Sequence, residues 1–294
     1  MFSVTLNTLK GGRMIFFTEE DIDRLIEEDI PYGDLTTFAL GIENERGIIR
    51  FSPRGNTVVC CTEEVVRIFN RLNIKTIHYT SSGSMVDDKK VFFEAEGSAG
   101  DLHKAWRVCL NLLEYSSGIA TRTKTFVDVS REINPGVAIV TTRKSLPGAR
   151  KIAMKGVICG GALPHRLGLS ETVLVFDEHI SFDGGIDKFI TQLPRLKNRL
   201  PENKIAVEVR TEEDAVRMAE AGADIIQLDK LDATETKSAV IAVKSISPKA
   251  LVAAAGGINE KNVKDYAATG VDIIVTSSLY FGPPSDIKAE IFPV

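Results

Sequence analysis

Residues 220–228 read E-A-G-A-D-I-I-Q-L, and residues 268–277 read A-T-G-V-D-I-I-V-T-S. Each stretch is the end of a helix, a glycine suited to a left-handed cap, and then a short apolar run. A strand that is apolar on both sides needs cover on both faces, which is the mark of a parallel sheet flanked by helices. Working outward, the same unit recurs. Strands are predicted at Ala138–Thr141, Thr172–Phe176, Ile205–Val209, Ile225–Leu228, Leu251–Ala255 and Ile273–Thr276. Helices are predicted at Arg150–Cys159, Asp187–Leu200, Thr211–Ala221, Thr234–Ser245 and Glu260–Thr269. This repetition suits an α/β fold with an incomplete parallel (β/α) barrel of roughly six to seven strands better than an open sheet.

The first part of the chain lacks that alternation. Thr18–Glu28 reads as a capped helix, Gly33-Asp34 as a turn, Glu63–Leu72 as a helix, and Arg46–Arg54, Thr57–Cys61 and Val91–Glu96 as strands. The mixture predicts an N-terminal α+β sandwich domain. Asp101–Val129 carries a helical rhythm through Ser116-Ser117-Gly118, where a break into two helices is expected. The expected domains are 14–120 (α+β) and 121–280 (barrel), with the tail 281–294 packing back on the first. Residues 1–13 read as a disordered or non-native leader, because Lys10-Gly11-Gly12 ahead of Met14 suggests a ribosome-binding site in the codons and a start at Met14.

Composition narrows the function. The 294 residues are 44% hydrophobic and 26% charged, and the net charge is −4. That balance supports a large core and argues against a nucleic-acid partner. Local pairs of cations at Arg143-Lys144 and Arg150-Lys151 suit a small anion instead. Cys60, Cys61, Cys109 and Cys159 show no metal or disulfide spacing, which points to packing residues in a reducing cytoplasm. No apolar run approaches the roughly 20 residues of a membrane span.

In a barrel of this kind chemistry sits where the strands end. Gly256-Gly257 and Ser277-Ser278 follow consecutive late strands, the usual place of a phosphate site; the plainer reading is a tight turn with Asn259 as a helix cap. Glu208 and Asp229 are carboxylates on neighbouring strands. They suit Mg²⁺ carried by a diphosphate, or sugar hydroxyls; the plainer reading is salt bridges to nearby cations. Arg143, Lys144, His165 and Arg166 supply donors for an anionic ligand, whereas His78 and His103 read as surface or packing residues.

Taken in order, Gly33-Asp34-Leu-Thr-Thr37, Arg107–Asn111, Ser117–Thr121, Thr142-Arg-Lys144 with Pro147-Gly148, Gly160-Gly161 to His165-Arg166, Val207–Val209, Leu228-Asp229 and Gly256–Ile258 resemble the quinolinate phosphoribosyltransferase family. The loop Ala162–Glu171 resembles the ModD branch, whose members accompany molybdate-transport genes. The resemblance implies an N-terminal α/β domain, an incomplete barrel, and a homodimer or higher assembly. It implies transfer of phosphoribose from phosphoribosyl diphosphate to a small aromatic acid or base, with Mg²⁺. Arg143, Lys144, His165 and Arg166 match its substrate ligands, Arg107 an arginine supplied by the partner subunit, Glu208 and Asp229 its acids around ribose and metal, and the late loops its 5′-phosphate site. Glu208, Asp229 and Lys144 are therefore the expected catalytic residues.

One departure changes the expected acceptor. Phe176 stands where the family carries a lysine, trading an anion ligand for an aromatic face. Trp106 and Ala255 also depart from the pattern. Alternative readings are true quinolinate phosphoribosyltransferase activity in NAD biosynthesis, and a non-catalytic protein that kept the phosphate site.

Overall fold

A computed structural model describes residues 15–294, so the expected leader and the Met14 start lie outside the described residues. The chain forms two compact units. One holds residues 15–125 together with 145–161 and 280–294; the other holds 126–144 and 162–279.

In the first unit, α1 (Glu19–Asp29) begins where the Thr18 hydroxyl accepts from the Asp21 amide at 3.1 Å and Asp21 accepts from the Thr18 amide. Asp34 does more than make a turn: its carboxylate caps a short helix, α2 (Leu35–Leu40). β1 (Arg46–Pro53), β2 (Thr57–Val58), α3 (Thr62–Arg71), β3 (Lys75–Tyr79), β4 (Met85–Val86), β5 (Phe93–Ser98) and α4 (Ala99–Ile133) follow, α4 belonging to this unit up to Thr125. An antiparallel sheet runs β13-β1-β5-β3, in which β13 is the tail segment Ile287–Pro293 paired with β1 from Gly47 to Pro53. Its core centres on Phe51, Phe69 and Phe93, with ring centroids 5.3–6.5 Å apart.

Two expectations are corrected here. The helix expected to break at Ser116-Ser117-Gly118 is unbroken over 35 residues. The Ser116 hydroxyl donates back to the Leu112 carbonyl at 2.7 Å, so it leaves the helix ladder intact. Gly118 serves packing: a Cβ there would lie 2.9 Å from the Pro284 backbone. The span 121–280 assigned to the barrel also contributes to both units. Its helix α5 (Arg150–Cys159), which follows strand β6 (Ala138–Thr141), packs on α4 in the first unit. A Cβ on Gly156 would sit 2.8 Å from the Ser116 carbonyl oxygen, and only glycine allows that approach.

The second unit holds β6 and then β7 (Leu163–Pro164), β8 (Val173–Val175), α6 (Asp177–Asp183), α7 (Ile186–Arg199), β9 (Ile205–Val209), α8 (Glu212–Glu220), β10 (Ile225–Asp229), α9 (Ala233–Ile246), β11 (Leu251–Ala255), α10 (Val263–Ala267) and β12 (Ile273–Thr276). Seven parallel strands run β7-β6-β12-β11-β10-β9-β8, an open half-barrel as the sequence predicts. The helix expected at Glu260–Thr269 shrinks to α10, five residues long.

The repeated Gly-x-Asp has a structural reason. Asp224 accepts from the Ile205 amide at 2.9 Å and pairs with Lys197; Asp272 accepts from the Val252 amide at 2.8 Å and pairs with Lys244. Each aspartate thus fastens the start of its own strand to the start of the strand before it. Inside the half-barrel, Val140, Ala253, Ala255 and Val275 form a buried apolar plug, joined by Leu163, Ile225 and Ile273.

Candidate active site

The period of two along each strand carries the same inward face past the plug to the strand ends. There it presents Thr142 after β6, His165 after β7, Phe176 after β8, Glu208 on β9, Gln227 and Asp229 on β10, and Ser277 after β12. All of them line one cavity of about 490 Å³ in the second unit, together with Arg143, Lys144, Arg166, Lys230, Gly256, Gly257, Asn259 and Ser278. Every expected site residue except Arg107 is therefore gathered in one place. Arg107 lies on α4 in the first unit, exposed, with its guanidinium 5.7 Å from the Trp106 ring centre, and does not line this cavity.

The two glycine- and serine-bearing loops are built differently from the simple expectation of a loop opening a helix. α10 starts only at Val263; ahead of it the Asn259 side-chain oxygen accepts from the Lys261 amide at 3.0 Å and caps the turn that leads into the helix, while its amide donates to the Gly257 carbonyl at 3.0 Å. Gly256 has φ +90°, and a Cβ there would lie 2.7 Å from the Lys230 backbone nitrogen and 2.8 Å from Asp229 Oδ1. Only glycine fits between the ends of β10 and β11 at that point. On the next strand, Thr276 donates to the Ile258 carbonyl at 2.7 Å and accepts from the Ser278 amide at 3.0 Å, locking the two loops together.

The acids stand on one side of this rim. Asp229 has cationic neighbours, Arg210 at 3.6 Å and Lys230 at 4.0 Å, and Arg210 also reaches Asp177 at 3.1 Å. The plain salt-bridge reading of Asp229 thus has a counterpart in the structure. Glu208 instead accepts from the Gln227 amide at 2.6 Å. Burial, with the charges of Asp229 and Asp177 nearby, raises the Glu208 pKa above its ordinary value despite that hydrogen bond and Arg210. Among the described residues no cluster of three or more acids, histidines or cysteines forms a metal cage.

The cations stand on the other side. Arg143, Lys144 and Arg166 have no carboxylate partner among the described residues. Burial, aided by the Arg143 charge, lowers the pKa of Arg166. Burial and Arg166 also hold the His165 imidazole below its ordinary pKa, favouring its neutral form. Phe176 closes the ring: its face stacks on His179 at 5.7 Å, and the Arg166 guanidinium lies 5.9 Å from its centre. The aromatic ring thus faces the cavity.

Sequence reasoning missed Gln227. The signal was there, because an amide interrupts the apolar run Ile225–Leu228, the same signal that singled out Glu208.

Comparison with known proteins agrees with this geometry. Residues 119–289 match the model for the quinolinate phosphoribosyl transferase C-terminal domain, and 34–117 match that for the N-terminal domain. The chain is 36% identical over 278 residues to the ModD protein of Pasteurella multocida, covering 95% of this chain and 99% of that one. It is 40% identical over 249 residues to the ModD protein of Rhodobacter capsulatus, covering 85% and 95%. The crystal structure of nicotinate-nucleotide pyrophosphorylase from Ehrlichia chaffeensis superposes with a TM-score of 0.84 at 30% identity, covering 95% of this chain and all of that one.

Proposed function

From the premise that this chain belongs to the quinolinate phosphoribosyltransferase family, we propose that its second unit transfers phosphoribose from phosphoribosyl diphosphate to a small aromatic acid or base other than quinolinate. The protein is a phosphoribosyltransferase, a pentosyltransferase enzyme, related to the ModD proteins. The observation that carries the choice of acceptor is Phe176, which faces the cavity under Arg166 where a second anion ligand would otherwise stand.

In this reading the 5-phosphate sits on the Gly256-Gly257 and Ser277-Ser278 loops, and the pentose lies over Glu208 and Asp229. Arg143 and Lys144, with no acid to neutralise them, hold the diphosphate, and His165 and Arg166 hold the acceptor's acidic group. The bond from C1 to the diphosphate oxygen breaks with its electron pair leaving on the diphosphate. A lone pair on an acceptor ring nitrogen forms the new C1–N bond. Positive charge grows on the sugar as the first bond stretches, and Glu208 and Asp229 balance it, while the cations stabilise the leaving group. Lys144, Glu208 and Asp229 are thus the proposed catalytic residues.

Two carboxylates without a third fit Mg²⁺ in its usual mode, bound through one or two carboxylates plus substrate phosphates. Glu208 and Asp229 would hold it, and when bound it neutralises charge on the departing diphosphate.

Arg107, exposed on α4, is proposed to serve the site of a partner copy in a homodimer. Cytoplasm is the proposed compartment, supported by four cysteines that are all free and buried. Among the described residues no helix is long and apolar enough to cross a membrane.

Calorimetry with phosphoribosyl diphosphate and Mg²⁺ tests the site, and incubation with quinolinate tests the acceptor. The expected result is tight sugar-diphosphate binding and no nicotinate mononucleotide. Turnover of quinolinate would instead make this a genuine quinolinate phosphoribosyltransferase. Binding without diphosphate release for any aromatic acceptor would point to a non-catalytic protein.

A further inference from the structure

Gln227 sits at the floor of the cavity, 4% exposed, in register with Glu208 on one side and with Ala253 on the other. Its amide nitrogen is committed to Glu208 at 2.6 Å, which fixes the direction of its carbonyl oxygen. That oxygen is buried and receives no hydrogen bond. Of the buried side-chain atoms without a partner among the described residues, it alone belongs to a residue lining this cavity. An unpaired carbonyl in a low-dielectric pocket costs free energy comparable to a lost hydrogen bond, and an apolar side chain of the same shape would avoid that cost. A polar group kept there half-satisfied is one whose second partner arrives with a ligand.

The strand order says which part of the ligand that is. Gln227 stands on β10, between Glu208 on β9 and the Gly256-Gly257 loop that ends β11. On β11, Ala253 beside it is buried in the plug, and Ala255, two residues further along, lines the cavity next to the loop. A sugar whose 5-phosphate rests on that loop extends over Gln227 before it reaches Glu208. The cations of β6 and β7 and the ring of Phe176 belong to other strands. We propose that Gln227 reads a secondary hydroxyl of the bound pentose, its carbonyl oxygen accepting the hydroxyl proton while its amide orients Glu208. This rests on the phosphoribose reading above and adds a sugar-selecting residue to it.

The test is a binding cycle with ribose 5-phosphate and its 2-deoxy and 3-deoxy analogues, measured on wild type, Gln227→Met and Gln227→Asn. Wild type should bind one deoxy analogue more weakly than ribose 5-phosphate. In Gln227→Met that discrimination should shrink by roughly 2- to 12-fold, the range for one neutral hydrogen bond. Should Gln227→Met fail to fold, Gln227→Asn gives the same reading, since it withdraws the carbonyl by one methylene and keeps the amide. Full retention of wild-type discrimination in the folded variant would overturn the assignment. So would unchanged sugar affinity with a raised KM for the acceptor alone, which would move Gln227 to the acceptor side. If wild type bound neither ribose 5-phosphate nor phosphoribosyl diphosphate, the phosphoribose reading itself would fall, and this one with it.

Discussion

The molecule keeps two groups of partly buried charges, and they are arranged in opposite ways. In the first unit, Lys155 is fully buried and donates to Glu63 at 2.8 Å and to Glu64; Glu63 in turn accepts from the Ser82 amide at 3.0 Å. Burial pushes Glu63 up, but the Lys155 charge and the Ser82 hydrogen bonds outweigh it and leave its pKa below the ordinary value. In the second unit, Arg143, Lys144 and Arg166 are left without acids, while Glu208 is protonated more readily than usual. The first group closes on itself and serves the fold. The second leaves its cations unbalanced, as the proposed anionic substrate requires. A charge cluster announces function by what it leaves unbalanced, not by how many charges it holds.

That contrast can be broken at either end. Lys155→Met leaves Glu64 buried without its partner and should cost about 3–5 kcal/mol of stability, read by denaturant unfolding, with ligand affinity preserved in the folded fraction. An unchanged unfolding midpoint would mean the cluster does not hold the first unit. Arg143→Ala should do the reverse: affinity for phosphoribosyl diphosphate falls by about 2–4 kcal/mol with little change in melting temperature. Equal affinity in calorimetry would remove Arg143 from the site.

Two smaller effects sharpen the picture. Phe176→Lys restores a cation at the rim and should raise quinolinate affinity about tenfold. A flat titration would count against Phe176 as the determinant of the acceptor. Glu208→Gln concerns pH. The folded-state pKa of Glu208 lies above its ordinary value of 4.5, so its protonated form is favoured in the fold. Wild type therefore loses stability relative to the variant as pH rises through that pKa. Melting curves should coincide near pH 4 and separate by pH 7.5 with the variant higher, although its activity drops. The opposite order at pH 7.5 would contradict the pKa direction.

Much of this was legible in the sequence because the barrel strands are short, apolar and separated by capped helices. Ile205–Val209 and Leu251–Ala255 have the predicted limits, and Thr211 caps α8 as its spacing implies. The first unit was harder. β3 (Lys75–Tyr79) is mostly exposed, so it lacks a clear apolar alternation. α2 is a single capped turn and a half, too short to leave a period. Ser116-Ser117-Gly118 looked like a break because serine and glycine are poor helix formers, but tertiary packing against residues 283–285 overrides propensity there. At the site, charged residues stood out and an amide did not. Gln227 carries no charge, and its importance lies in a partner it lacks.

The pairing of β13 with β1 has a consequence for how the chain is made. Gly47 meets Pro293, so one sheet joins two segments between which all the barrel strands are synthesised. Until residues 287–293 appear, β1 keeps one row of backbone amides and carbonyls bare while every barrel strand is produced. Such an uncovered edge is a template for association with other chains, and a contact that spans so much sequence forms slowly. Trimming residues 287–293 would thus act on β1, made before any barrel strand, and its signature would be aggregation during expression.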